Sequence, residues 1–239
     1  MPIYQLTEED FWFPEPEEFE GDIIAVGGDL HPRRLIHAYR QGIFPWYNDP
    51  GEMIWWCPED RCVLIPDEVI ISHSMRNTFN RKQFQITMDT DFLGVLNGCR
   101  GGEREGATWL IDEMVEANLK LHRLGISHSV EVWQEGELVG GLYGASIGEI
   151  FFGESMFSKV TNSSKVAFIL LAHHMKRLGW TLLDCQVYTD HLGSLGAKSI
   201  LREEFLCELK TKIEKTSLKG KWTEAFAESV AVFNGRTIG

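Results

Sequence analysis

Two short apolar segments constrain this chain more than anything else in it. They are Gly148-Glu-Ile-Phe-Phe-Gly-Glu-Ser-Met-Phe-Ser158 and Leu182-Leu-Asp-Cys-Gln-Val187. Both have the length and composition of strands, yet each carries charged or amide groups where a buried strand should carry none. Period-2 alternation predicts Phe152, Glu154, Met156 and Ser158 on one face of the first, and Phe151, Gly153, Ser155 and Phe157 on the other. In the second, Asp184 and Gln186 share a face, opposite Leu183, Cys185 and Val187. A carboxylate inside such a strand costs several kcal/mol unless it is paired. One such residue is usually part of a buried network that fixes strand register. Two carboxylates, an amide and a hydroxyl on two similar strands point instead to a site.

The surrounding pattern sets the architecture. Strands are expected at 128–134, 138–145 and 150–158, joined by Glu135-Gly136 and Ile147-Gly148, which makes an antiparallel meander. Asn162 is placed to cap a helix running to about Leu178, stopped by Gly179. The 182–187 strand follows, and then a helix over roughly 202–215. Upstream, 84–88 reads as a strand, 91–99 as a short helix, and 112–124 as a helix ended by Gly125. Residues 1–65 are rich in aromatics, Gly and Pro. A helix opens there after Gly27-Gly28-Asp29, with Pro32 in its first turn. Pro45 and Pro58 argue against central strands in Gly42-Ile-Phe-Pro-Trp46 and Met53-Ile-Trp-Trp-Cys-Pro58. Pro66-Asp67 marks the expected boundary, giving an α+β domain at 1–65 and a catalytic domain at 66–239.

Charge and cysteine content narrow the function. The net charge of −12 argues against a nucleic-acid partner until its distribution is considered. Nine of the 35 acids fall within residues 1–30, which hold no Lys or Arg, and the rest of the chain is close to balance. The run from Val69 to Met88 has Arg76, Arg81 and Lys82 and no acid. Its opening Ser72 suits a helix N-cap. Alone, three bases on a helix usually mean a solvated face, and the phosphate-binding signal is weak. The five cysteines form no CxxC pair, so neither a disulfide framework nor a zinc site is expected. Without a basic leader or a long apolar run, the protein is expected to be cytoplasmic. Trp46, behind Pro45 in an expected loop, is the best candidate for an exposed stacking platform.

Three antiparallel strands, a capped helix and a further strand resemble the core of N-acetyltransferases. That fold holds coenzyme A pyrophosphate on a Gly-rich loop at the helix N-terminus. Here the loop is Lys159-Val-Thr-Asn-Ser-Ser-Lys165, without glycine. Ser163, Ser164 and Lys165 could hold a single phosphate, but the donor is expected to be something other than coenzyme A.

Seven motifs in register carry a more specific resemblance. They are Gly42-Ile-Phe-Pro-Trp46, Trp55-Trp-Cys-Pro58, His128-Ser-Val-Glu-Val-Trp133, Leu138-Val-Gly-Gly141, Gly153-Glu-Ser-Met-Phe-Ser158, Asp184-Cys-Gln-Val187 and Ser194-Leu-Gly-Ala197. Together they resemble the leucyl/phenylalanyl-tRNA–protein transferases over nearly the whole chain, from Pro14 to about Phe205. The resemblance implies a small N-terminal α+β domain and an acetyltransferase-type C-terminal domain with a mixed, mainly antiparallel sheet. It implies a cytoplasmic, monomeric N-end rule enzyme that moves Leu or Phe, and Met less well, from aminoacyl-tRNA onto proteins beginning with Arg or Lys. No nucleotide triphosphate, metal or coenzyme A is implied.

By the same resemblance Asp184, Gln186 and Glu154 are the catalytic candidates. Asp184 would orient the attacking amine, with Gln186 as its relay or as a polariser of the carbonyl, and Glu154 would partner an amino group. An ordinary aspartate, with a pKa of about 3.9, is a poor base at neutral pH. The donor side-chain pocket falls on Leu142, Phe151, Met156, Leu171 and Leu183, with Ser158 near its mouth. Trp46 and Trp109 fall where the family holds the tRNA 3′-adenosine, and Arg76, Arg81 and Lys82 would meet the tRNA backbone. Thr189 departs from the Asn common beside the Asp-Cys-Gln motif. Two other readings stand beside this one: a Fem-type peptidoglycan aminoacyltransferase, and a non-enzymatic adaptor for basic N-termini. A coenzyme A-dependent acetyltransferase is disfavoured by the glycine-free loop.

Overall fold

The computed structural model describes residues 3–46, 53–101, 110–218, 220 and 222–233. The N-terminal part contains β1 (Tyr4–Leu6), β2 (Ile23–Gly27), α1 (Pro32–Arg40), β3 (Phe44–Trp46) and β4 (Ile54–Trp56). Its four strands lie in the order β1-β2-β4-β3. β3 and β4 pair antiparallel, with Pro45 opposite Trp55. Pro45 is tolerated because β3 is an edge strand. β4, by contrast, is an inner strand, contrary to the expectation drawn from Pro58. The proline falls beyond the end of the strand and removes no ladder bond. Trp55 is fully buried in β4, and its Nε1 donates to Gly27 O at 2.9 Å. In α1, Pro32 takes the first turn and His31 Nδ1 accepts from Arg33 N. The helix buries Arg34, Leu35, Ala38 and Tyr39.

The larger part holds β5 (Asp60–Leu64), α2 (His73–Arg81), β6 (Gln85–Met88), α3 (Phe92–Arg100), α4 (Asp112–Arg123), β7 (Ser127–Gln134), β8 (Glu137–Ile147) and β9 (Ile150–Ser158). Then come α5 (Ser163–Arg177), β10 (Leu182–Gln186), α6 (Asp190–Gly193), β11 (Lys198–Leu201), α7 (Arg202–Lys212) and α8 (Thr223–Val232). Seven strands form one sheet, in the order β11-β5-β10-β9-β8-β7-β6. Only the central β9/β10 pair is parallel. Every other neighbour is antiparallel, so the sheet is mixed and mainly antiparallel as expected. The β7–β8 hairpin turns at Glu135-Gly136, both with positive φ, the geometry a two-residue turn needs.

The sheet separates two apolar cores. One packs Phe152 and Phe157 with α1, α3, α4, α7 and the small sheet. The other packs Phe151, Leu142 and Leu183 with α5, Met75 of α2, and Trp222 and Phe226 at the start and in the body of α8. A fully buried side chain of this size contributes roughly 1.5–3 kcal/mol. α5 is buried on nearly all sides and ends at Gly179, whose φ is +77°. No helix among the described residues is long and apolar enough to cross a membrane.

Candidate active site

The period-2 expectation fails in the middle of β9, and the failure builds the site. Tyr143 of β8 pairs with Ser155 and the next residue, Gly144, pairs with Gly153, so Glu154 is left without a partner. This β-bulge shifts the alternation by one residue. Phe152 therefore shares a core with Phe157, while Phe151 shares the other with Met156. The predicted common face of Phe152, Glu154, Met156 and Ser158 does not exist. Gly144 makes the bulge possible, because a Cβ there would run into Phe152 O and the Phe151 ring.

β10 carries a second bulge beside the first. Asp184 pairs with Val63 and Gln186 with Cys62, leaving Cys185 as the extra residue. Gln186 has a φ of +62°, rare for a side chain with a Cβ. The parallel β9/β10 register covers 150–152 against 182–184, and the bulges follow immediately after it. Strain of this kind clusters at functional sites.

The polar groups form a connected network. Asp184, fully buried, receives Arg61 Nε at 2.8 Å and Nη2 at 2.6 Å. The Gln186 backbone N–H also donates to Asp184 Oδ1, at 2.9 Å. The Arg61 guanidinium lies 4.8 Å from the Phe44 ring centroid and 4.4 Å from that of Phe205. Burial works to lower the Arg61 pKa, but the charge and hydrogen bonds of Asp184 outweigh it, and the net direction is upward. Gln186 Nε2 turns away from Asp184 and donates to Glu154 Oε1 at 2.8 Å, while Tyr39 of α1 donates to the same oxygen at 2.9 Å. Burial pushes the Glu154 carboxyl up to about 7; Tyr39 and Gln186 hold it down and Asp184 adds to the rise. Burial, then Glu154, likewise keeps the Tyr39 phenol well above its ordinary value.

A cavity of about 400 Å³ opens at the bulges. Leu142, Phe151, Met156, Leu171 and Leu183 line it, all five of the apolar residues expected for the pocket. Glu154 and Gln186 form its polar end, and exposed Val187, Thr189 and His191 also border it. Ser158 is not part of the lining; it is exposed and its Oγ donates to Val160 O at 2.8 Å. Thr189 caps α6, accepting from Leu192 N at 3.2 Å. Sequence reasoning missed Tyr39, Arg61 and the lining residue Phe168. Arg61 did leave a trace, as the one base in Glu59-Asp-Arg61, directly ahead of the apolar run Cys62-Val-Leu-Ile65.

The expected tRNA contacts are dispersed. Trp46 is half-buried on β3 rather than exposed on a loop; it borders the cavity and lies 6.0 Å from Trp56. Trp109 lies outside the described residues. Arg76, Arg81 and Lys82 are exposed on α2 and its C-cap. α2 starts as expected, with Ser72 Oγ accepting from Met75 N. Asn162 occupies the N-cap of α5, but its side chain donates to Thr78 Oγ1 of α2 instead of capping. Ser163 and Ser164 are buried, so their hydroxyls do not present a phosphate cradle.

Comparison with known proteins agrees with this architecture. The leucyl/phenylalanyl-tRNA protein transferase family matches residues 63–210, and the N-terminal domain of the same family matches residues 28–59. A leucyl/phenylalanyl-tRNA–protein transferase of Syntrophus aciditrophicus is 49% identical over 226 residues, 93% of this chain and 94% of that one. That of Flavobacterium johnsoniae is 50% identical over 212 residues, covering 88% of this chain and all of the relative. The Myxococcus xanthus protein is 45% identical over 231 residues, 95% of this chain and 99% of its own. With a fold of the same two parts and identity of this extent, the chain belongs to the leucyl/phenylalanyl-tRNA–protein transferase family of aminoacyltransferases.

Proposed function

We propose that this enzyme moves Leu or Phe, and Met less readily, from aminoacyl-tRNA to the α-amino group of polypeptides beginning with Arg or Lys. The product enters N-end rule degradation, and the enzyme works as a cytoplasmic monomer. The observation that carries the reading is an apolar cavity with a carboxylate and an amide at one end, where two neighbouring strands bulge. An apolar donor side chain fills the cavity, and each such burial is worth about 1.5–3 kcal/mol. The ester carbonyl then lies beside Gln186 and Glu154. The succession β7–β8–β9–α5–β10, with its parallel pair parted by bulges, supports an acetyltransferase-type core.

Aminolysis of an ester is downhill, so the reaction needs no ATP, and the reading assigns no step to a metal or to coenzyme A. The enzyme's largest contribution is positioning two substrates, worth up to roughly 7–11 kcal/mol in well-oriented cases. Asp184, held by Arg61, fixes the second bulge and thereby aims Gln186. Trp46 and Trp109 stack the terminal adenosine, and Arg76, Arg81 and Lys82 meet the tRNA backbone. An adaptor for basic N-termini has no use for the apolar cavity. A Fem-type enzyme would accept a lipid-linked muropeptide. The decisive experiment incubates the enzyme with radiolabelled Leu-tRNA and a protein beginning with Arg, without added nucleotide or metal. Label on the protein N-terminus supports the reading, whereas label found only on muropeptide, or no transfer at all, overturns it.

A further inference from the structure

Resting on that reaction, we infer that Glu154 takes the surplus proton from the acceptor's α-ammonium, and that Tyr39 is the positioning residue that holds Glu154 for this task. The partners of Asp184 keep it from the same role. Arg61 occupies both of its oxygens, the Gln186 N–H adds to one, and its side chain is fully buried.

Glu154 differs in each respect. It is the unpaired residue of a bulge and it lines the cavity. Its two donors, the Tyr39 hydroxyl and the Gln186 amide, converge on Oε1. Oε2 receives no hydrogen bond from the described residues and is left for a third donor. The groups facing Glu154 are Tyr39 from α1, Arg61 from β5, Tyr143 from β8, and Asp184 and Gln186 from β10. Burial raises its proton affinity most, and the balance of these neighbours leaves the carboxyl near 7. An α-ammonium has a pKa of about 7.7–8, so proton transfer between the two is nearly even in free energy.

The ammonium gives one proton to Glu154 and becomes a neutral amine. Its nitrogen attacks the ester carbonyl, the C–N bond forms, and the C–O bond to the ribose breaks with its electron pair going to the ribose oxygen. The remaining surplus proton on nitrogen ends on that oxygen as a hydroxyl. Glu154 then loses its proton to solvent.

The size of the effect follows from the acceptor's own chemistry. At pH 7 about a tenth of an α-amine is already neutral. Without its base, the enzyme is confined to that tenth. Glu154→Gln should therefore slow single-turnover transfer about tenfold at pH 7 and match the wild type by about pH 9. Tyr39→Phe keeps the ring packed 5.1 Å from Phe152 but removes one hydrogen bond that favours the carboxylate. The acid limb of its pH profile should move upward by about one pH unit.

The test measures single-turnover transfer from Leu-tRNA to a saturating Arg-initiated peptide across this pH range, for the wild type and both variants. A second acceptor carries an N-terminal aminooxy group, which is largely neutral at pH 7 and needs no base. With it, Glu154→Gln should show no deficit that depends on pH across this range. A deficit that is independent of pH, or equal for both acceptors, would overturn the proton role. An unmoved acid limb in Tyr39→Phe would overturn the role of Tyr39. Absence of transfer by the wild type to either acceptor would instead overturn the transferase reading, and this inference with it.

Discussion

Replacing Asp184 by Asn tests whether this residue is chemistry or scaffold. The substitution keeps an oxygen to accept the Gln186 N–H, but it removes the charge and turns the acceptor facing Arg61 Nη2 into a donor. Arg61, 1% exposed and clamped between Phe44 and Phe205, then has no counter-charge. Leaving one member of a buried pair alone costs about 3–5 kcal/mol. Domains have only about 5–15 kcal/mol of stability in total. At about 2–4 °C per kcal/mol for a chain of this size, the melting temperature should fall by about 10 °C. The double variant Arg61→Met/Asp184→Leu removes both charges and should recover most of that loss, though not the aim of Gln186. Thermal melts and urea titrations, read beside turnover per folded molecule, make the measurement. If Asp184→Asn melts within about 1 °C of the wild type while turnover collapses, Asp184 acts on the substrate and the scaffold reasoning is wrong.

Glu154 should carry a cost in stability. Its carboxyl stands near 7 in the folded chain against 4.5 in solvent, so the folded state holds more protons between these values and stability falls as pH rises from about 4.5 to about 7. Glu154→Gln should therefore be the more stable protein at pH 8, on the order of 1–3 kcal/mol; urea melts that run parallel for both proteins at every pH would refute this. Replacing Arg76, Arg81 and Lys82 by Ala should raise KM for intact aminoacyl-tRNA and reduce its log–log salt slope by about 2–3. The same variant should leave an aminoacylated adenosine fragment reacting normally, and loss of that reaction would make α2 part of the scaffold. Leu171→Phe adds bulk to the cavity and should lower kcat/KM for Phe-tRNA more than for Leu-tRNA, by about tenfold. Equal losses for both donors would place Leu171 outside the donor pocket.

What could be read in the sequence, and what could not, divides along a physical line. The meander, α4, α5 and their glycine stops rest on local periodicity and turn chemistry, and they stand as expected. β5 and β11 escaped because short strands at a sheet edge, or beside one, carry little pattern of their own. Asp60–Leu64 pairs with β10 and β11 in the larger sheet, a long-range choice that the Pro66-Asp67 turn does not encode. α8 was unread because its alternating small residues lack a wide apolar stripe; its place is set by Phe226 and the neighbouring Trp222 in the core. The polar site residues were visible as misplaced charges. Their arrangement was not, because an extrapolated two-residue period cannot register an inserted residue. Tyr39 lies 115 positions from its partner Glu154, so no spacing rule could have joined them.

The bulge at Glu154 also bears on how such an enzyme could arise. On either side of it the strand is already in phase with its cores, Phe151 and Phe152 before it, Met156 and Phe157 after it. A chain lacking this one residue would restore plain pairing between β8 and β9 and keep every apolar side chain on its present face. The sheet does not need Glu154, and only the cavity does. Fold and reactivity are thus separable by a single codon. An ancestor with an uninterrupted sheet could have acquired its reactive carboxylate by one in-frame insertion, with no repacking of either core.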